Sequence, residues 1–250
     1  MKKFSKLAIM GGALALLLSF GFVSCSDSGS DDSPDTSKSA VETKATAKTY
    51  SFAGGTNGVV LADLDGWDMA TKDVISSPVA STATEKTLSN GAVLHWKGAK
   101  VGTFRFRSTH DANASLTEEI ANAATALNYN GGLTDGDLLS GVDLSTVDRY
   151  VEISVDGAGT VTATVDFKGA KESDNPTGGP FKAAFVDKDG TVLGTVASDE
   201  VTASSKDVTI TGSVSAAGSV YLVFSRNGAK KGSSGTGGLD VKTIAVTPAE

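Results

Sequence analysis

From Tyr50 to the C-terminus, apolar and polar residues alternate with a period of two far more often than with the period of a helix. In Tyr150-Val151-Glu152-Ile153-Ser154-Val155-Asp156, Val151, Ile153 and Val155 share one face. Val161, Ala163, Val165 and Phe167 repeat the pattern between threonines and Asp166. Gly157-Ala158-Gly159 reads as a hairpin turn between these two strands. Residues 181–186 and 191–196 flank Asp187-Lys188-Asp189-Gly190, whose Asp-Gly pair supplies the positive φ angles of a tight turn. Residues 206–214 and 219–225 form a further expected pair around Ala216-Ala217-Gly218. The last strand, 239–247, changes apolar phase between Val241 and Ile244, which predicts a bulge. Residues 49–53, 59–61, 92–97 and 101–107 are strand-like as well.

One segment departs from this period. Ser115-Leu116-Thr117-Glu118 has capping-box spacing and opens Leu116, Ile120, Ala124 and Leu127 at helical intervals, predicting a helix over 115–128. Short strands, glycine-rich turns and one helical insertion predict an all-β fold. The expected form is an antiparallel β-sandwich of jelly-roll type, spanning 50–250 as a single domain. A parallel β-helix would need repeated rungs, and the sequence shows no internal repeat.

The first 49 residues follow neither period. Lys2, Lys3 and Lys6 precede an uncharged run from Leu7 to Phe22 that ends at Cys25, the only cysteine. A basic start and a run shorter than the roughly 20 residues of a membrane span predict a cleaved signal over 1–24. Phe22-Val23-Ser24-Cys25 resembles the lipobox of bacterial lipoproteins, with Phe22 where a leucine is commonest. The resemblance implies a diacylglycerol thioether on Cys25. The alternative is an ordinary secretory signal that leaves Cys25 a free thiol. Residues 25–49 are rich in Ser, Asp, Thr, Lys and Ala, with almost nothing large to bury, and read as a disordered tether. Their acidic start also resembles the surface-export signals of some outer-membrane lipoproteins. The expected localisation is therefore a bacterial cell envelope, lipid-anchored, with the outer membrane or cell surface favoured.

Removing the signal takes three lysines and no acid, so the formal net charge of −7 becomes −10. Such a surface repels nucleic acid and anionic headgroups, and no nucleic-acid partner is expected. With Cys25 carrying lipid, no disulfide is available, and the core alone must hold the fold.

The second half resembles a known family. Arg149-Tyr150-Val151-Glu152-Ile153, Gly159-Thr160-Val161-Thr162-Ala163, Asp189-Gly190-Thr191-Val192-Leu193-Gly194, Val220-Tyr221-Leu222 and Leu239-Asp240-Val241-Lys242-Thr243-Ile244 are similar to β-sandwich modules appended to pectate lyases and other bacterial polysaccharide-degrading enzymes. The resemblance covers roughly residues 148–247. It implies a sandwich and binding of a polysaccharide or host glycan, without supplying ligand residues.

Sugar recognition calls for an aromatic face surrounded by carboxylates and amides. Trp67, in Asp63-Leu64-Asp65-Gly66-Trp67-Asp68, is a candidate platform with Asp65 and Asp68 beside it; the alternative is an aromatic that plugs the sandwich edge. Trp96 alternates in phase with Leu94 and reads as core, with His95 on the opposite face. Arg105 and Arg107 oppose Phe104 and Phe106 and form a pair able to grip an acidic sugar or to pair with carboxylates across the sheet. His95 and His110 are too few for a metal centre, and no cofactor is expected. A structural calcium ion has its natural places at residues 63–68 or 187–189, although nothing in the spacing requires it.

There is no G-x-S-x-G elbow, and the glycine-rich stretch 228–235 lacks the order of a phosphate loop. The expectation is a non-catalytic glycan-binding envelope protein. The alternatives are a structural or antigenic surface lipoprotein or assembly subunit without a small ligand, and, third, a polysaccharide-acting enzyme.

Overall fold

The computed structural model describes residues 45–77, 84–97, 104–129, 141–168, 181–196, 206–226 and 238–250. The signal, Cys25, most of the tether and the stretch 228–235 lie outside them. In chain order the strands are β1 (Lys48–Ser51), β2 (Asp68–Thr71), β3 (Val74–Ser76), β4 (Glu85–Thr87), β5 (Val93–Trp96), β6 (Phe104–Arg107), β7 (Ala126–Tyr129), β8 (Arg149–Val155), β9 (Gly159–Lys168), β10 (Phe181–Val186), β11 (Val192–Val196), β12 (Val208–Val214), β13 (Gly218–Arg226) and β14 (Gly238–Pro248). A short helix, α1, covers Glu118–Asn122. Among the described residues, no helix is long and apolar enough to cross a membrane.

Two antiparallel sheets face each other. Sheet I runs β12-β9-β14-β7-β6-β3-β2, and sheet II runs β11-β10-β13-β8-β5-β4. One flank of β14 pairs with β9; the other meets β7 along Leu239–Val241 and β1 along Thr243–Val246. The ladder slips between Val241 and Thr243, which is the predicted bulge, and it brings Lys242 out of the alternation. The inward positions supply one core that includes Phe52, Phe104, Phe106, Phe167, Phe185, Phe224, Leu127, Ile244 and Tyr129. Each such side chain contributes about 1.5–3 kcal/mol on burial. The edge strands β11 and β12 lie close against each other across the sandwich. A Cβ on Gly194 would fall 1.8 Å from the Thr211 carbonyl oxygen, so only glycine fits.

Tyr50 ties the sheets together. Its ring lies in the core, and its hydroxyl donates to Ser154 O at 2.7 Å and accepts from Ser154 N at 3.2 Å. The bond falls just past the point where β5 leaves β8, whose last common pair is Val93 with Glu152. A side chain of sheet I thus takes the place of a missing strand in sheet II.

Several expectations are corrected. β8 lies in sheet II and β9 in sheet I, so Gly157-Ala158-Gly159 is a corner between sheets and not a hairpin. The same holds for β12 and β13 around Ala216-Ala217-Gly218. Alternation identifies the face of a strand but not its partner, and a short glycine link serves either connection. The Asp187–Gly190 turn, by contrast, does join a paired hairpin, with Gly190 at φ +78°. The helix is shorter than 115–128: Thr117, not Ser115, is its cap, accepting from Ile120 N at 3.3 Å. Residues 126–129 become β7 because β6 and β14 satisfy the backbone on both flanks. Residues 59–61 are no strand; Val59 makes an isolated bridge to Gly54, and a 3₁₀ turn follows at Leu61–Leu64. The first strand begins at Lys48, two residues before the expected start of the domain.

Candidate functional site

The inward positions of a two-layer sandwich are taken up by its core, so chemistry falls to its outer faces, edges and loops. On sheet II, β5 offers His95, β8 offers Tyr150 and Glu152, and β13 offers Ser219 and Tyr221. Register places His95 opposite Tyr150, and Glu152 opposite Tyr221. The His95 and Tyr150 rings stack at 4.6 Å between centroids, and Tyr221 meets Tyr150 edge-on at 5.6 Å. Both tyrosines are half-buried. They rest on a small apolar cluster of Val142, Val147, Ala184, Val186 and Val223, formed where the chain around 142–147 crosses the sheet.

Polar groups surround the rings. Glu152 Oε2 is 2.6 Å from His95 Nε2, while its Oε1 accepts from the Ser219 hydroxyl at 2.6 Å. Glu85 of β4 lies opposite His95 and approaches its Nδ1 at 3.7 Å. Burial first, then the neighbouring Tyr221, Glu152 and Glu85, holds the Tyr150 hydroxyl above the ordinary tyrosine range; burial and then Glu152 do the same for Tyr221. Both hydroxyls therefore stay protonated at neutral pH and both donate and accept. An open groove of about 710 Å³ borders the same apolar cluster, between 141–145 and 188–192. Lys188, ion-paired to Asp189 at 2.6 Å, stands on its rim. Together these groups form an aromatic surface ringed by hydroxyls and carboxylates.

The residues singled out from sequence lie elsewhere. Trp67 packs in the core 5.4 Å from Phe106 and is only 8% exposed, so it offers no open face for stacking. The 3₁₀ turn before it swings the ring inward, the arrangement of an edge plug. Asp65 is exposed at the end of that turn. Trp96 is in the core, edge-on to Phe104, as its phase predicts.

Asp68, Arg105 and Arg107 are on the outer face of sheet I. Pairing aligns Asp68, Ser76, Arg105, Asn128, Asp240 and Asp166 in one row across β2, β3, β6, β7, β14 and β9. The row is buried toward β9: Asp240 is 4% exposed and accepts from Asn128 at 2.5 Å. Asp166, 7% exposed, accepts from Asp207 N and Lys242 Nζ, both at 2.8 Å. Lys242 also reaches Asp207 at 2.6 Å, and these two carboxylates raise its pKa above the usual lysine value. The rest of this face on β9, β12 and β14 is threonine-rich, with Thr209 opposite Thr164 and Thr211 opposite Thr162.

In the two loops suggested for calcium, Asp63 and Asp187 are already engaged by hydrogen bonds, while Asp65 and Asp68 are exposed. Asp63 Oδ1 accepts from Ser89 N and Oγ, and Oδ2 accepts from Val60 N. Asp187 accepts from the backbone of Asp189 and Thr191. Among the described residues, no three or more His, Cys, Asp or Glu side chains converge as a metal-binding set. His110 is buried and neither ring nitrogen has a hydrogen-bond partner.

Tyr150, Glu152 and Tyr221 are the functional candidates that sequence reasoning passed over, and they join His95, which it placed on the outer face but weighed only for a metal. Their signal was in the phase: in each strand these residues occupy the positions opposite the core.

The class defined by fold and site is an all-β antiparallel sandwich whose six-stranded sheet carries an aromatic, carboxylate-lined outer face. No family model and no curated protein matches the chain. Similar solved structures include the Stig cyclase Fisc from Fischerella sp. TAU, at 15% identity over 82% of this chain and 100% of that one, with a TM-score of 0.31. CsCBM6-3 from Clostridium stercorarium, solved with cellobiose, is 17% identical over 49% of this chain and 93% of its own, with a TM-score of 0.23. The carbohydrate-binding module CBM36, solved with calcium and xylotriose, is 12% identical over 48% and 98%, with a TM-score of 0.21. Likeness at this level bears on no side chain of the site.

Proposed function

We propose that this chain is a non-catalytic, lipid-anchored envelope protein that binds a polysaccharide or host glycan through the outer face of sheet II. The observation that carries the reading is the half-buried Tyr150–Tyr221 pair, with Glu152 and His95 fixed beside it. Tyrosine faces stack on the apolar C–H face of a pyranose, while the fixed carboxylate and hydroxyl groups take its hydroxyls. The anchor is supported by the Lys-rich start, the uncharged run and the lipobox-like Phe22–Cys25 stretch. A glycan array probed with the whole protein in detergent, with calcium present and chelated, tests the reading. Binding to one glycan class, weakened about tenfold or more by Tyr221→Ala, is expected. Binding indifferent to both Tyr150→Ala and Tyr221→Ala would remove the face. The plain threonine-rich part of sheet I favours a second reading, a structural surface protein without a small ligand, which leads if no glycan binds.

A further inference from the structure

We infer that the outer face of sheet I holds a second, separate site that recognises the carboxylate of an acidic sugar, a uronate, through Arg105 and Arg107. The two guanidiniums project from one face of β6, alternating with Phe104 and Phe106 in the core. Among the described residues neither has an ion-pair partner. The Arg105 Nε–H is sealed from solvent without an acceptor. A buried N–H left unmade is costly in a native protein, whose buried donors are nearly all paired. Two like charges two residues apart on one strand face add repulsion. One anion relieves both conditions, because a carboxylate accepts from Nε–H and Nη–H of a guanidinium side-on.

The surroundings select the ligand. On one side of Arg105 stands the buried Ser76 hydroxyl; on the other stands Asn128, whose amide is turned to Asp240. Asp68 and Asp240 flank the site two strands away in either direction, about 10 Å at ordinary strand spacing. They disfavour a dianion such as phosphate but tolerate a single negative charge, and the exposed Asp68 offers an acceptor for a sugar hydroxyl. A uronate presents that combination, one carboxylate on a ring of hydroxyls. Sheet II, with Glu85 and Glu152 on its face, is set against the same ligand.

Isothermal titration of the whole protein in detergent with a galacturonate trimer, with the neutral galactose trimer and inorganic phosphate as separate arms, tests this site. The uronate is expected to bind at least about tenfold more tightly than the neutral sugar and to weaken as salt rises. Arg105→Gln should lower its affinity about tenfold. Arg105→Lys, which keeps the charge but lacks the Nε–H, should lower it several-fold. Tyr221→Ala should leave it unchanged. Because Arg105→Gln deletes a donor with no partner, it should melt at or above the wild-type temperature. A clearly lower melting temperature would show that the donor is satisfied and overturn the inference. Equal binding of uronate and neutral sugar, equal binding of phosphate, or indifference to Arg105→Gln would also overturn it. Loss of uronate binding in Tyr221→Ala would assign the ligand to sheet II instead.

Discussion

The two outer faces of the sandwich use polar residues for opposite ends. On sheet I the row from Asn128 to Asp166 is largely turned inward upon itself: Asn128 serves Asp240, and Lys242 joins Asp166 to Asp207. On sheet II, Tyr150, Tyr221 and His95 are held by one another and by Glu152, yet remain partly open. The difference teaches that charge on a sheet face is a poor guide to ligand chemistry until its partners are counted. Charges paired to each other hold the fold, whereas half-covered rings beside fixed carboxylates hold interaction capacity in reserve.

The largest effect should come from a change that spares neither face. Gly194→Val drives a side chain into the Thr211 carbonyl where the two sheets meet, and at least about 3 kcal/mol of stability should be lost in urea unfolding. A smaller loss should be confined to sheet I. Lys242→Met strips the buried Asp166 carboxylate of its cation and should cost about 1–3 kcal/mol, below the figure for a fully buried pair because Lys242 is partly exposed. A change of similar size on Tyr150→Ala would break the contrast between the faces.

Alkali separates the core from the faces. Tyr129 is fully buried, its hydroxyl donating to Leu222 O at 3.1 Å, and burial raises its pKa far above the ordinary tyrosine range. Tyr150 and Tyr221 are raised too. A raised tyrosine contributes fully below the unfolded value near pH 10. Above it the unfolded chain sheds a proton that the folded chain keeps, so stability falls with rising pH. The fully buried Tyr129 should cost up to about 1.4 kcal/mol per pH unit, and Tyr129→Phe should make the decline shallower by that group, while the partly exposed Tyr150 and Tyr221 add a weaker decline of the same sign. The smallest effect on stability, within about 1 kcal/mol, is expected for Tyr221→Ala, the variant that should weaken glycan capture by sheet II about tenfold or more. Paired denaturation and binding curves would show it.

Much of the fold was legible because side-chain alternation is a local property. The strands 181–186 and 239–247, the Asp-Gly hairpin and the slip at Lys242 could all be read from residues adjacent in sequence. Partner choice could not. Nothing in Gly157-Ala158-Gly159 distinguishes a hairpin from a corner, and Leu127 fits a helical face as well as a strand until β6 and β14 are known to flank it. The candidate site divides in the same way. The phase of Arg105 and Arg107 put them outside the core, and the structure agrees. For Trp67 the polar neighbours left a platform and an edge plug both open, because they say nothing of the 3₁₀ turn that swings the ring in beside Phe106. Tyr150 and Tyr221 are 71 residues apart, and only the ladder between β8 and β13 makes them one surface.

The Tyr50 hydroxyl bond has a mechanical meaning. A pull applied at Lys48 runs along β1, where four antiparallel residue pairs with β14 resist in shear and share the load. Through Tyr50 the same load passes across the core to Ser154, on the strand that carries Tyr150 and Glu152. On the proposed function, traction between the segment before Lys48 and a glycan held on sheet II would load this Tyr50–Ser154 link between the sheets together with the β1–β14 ladder.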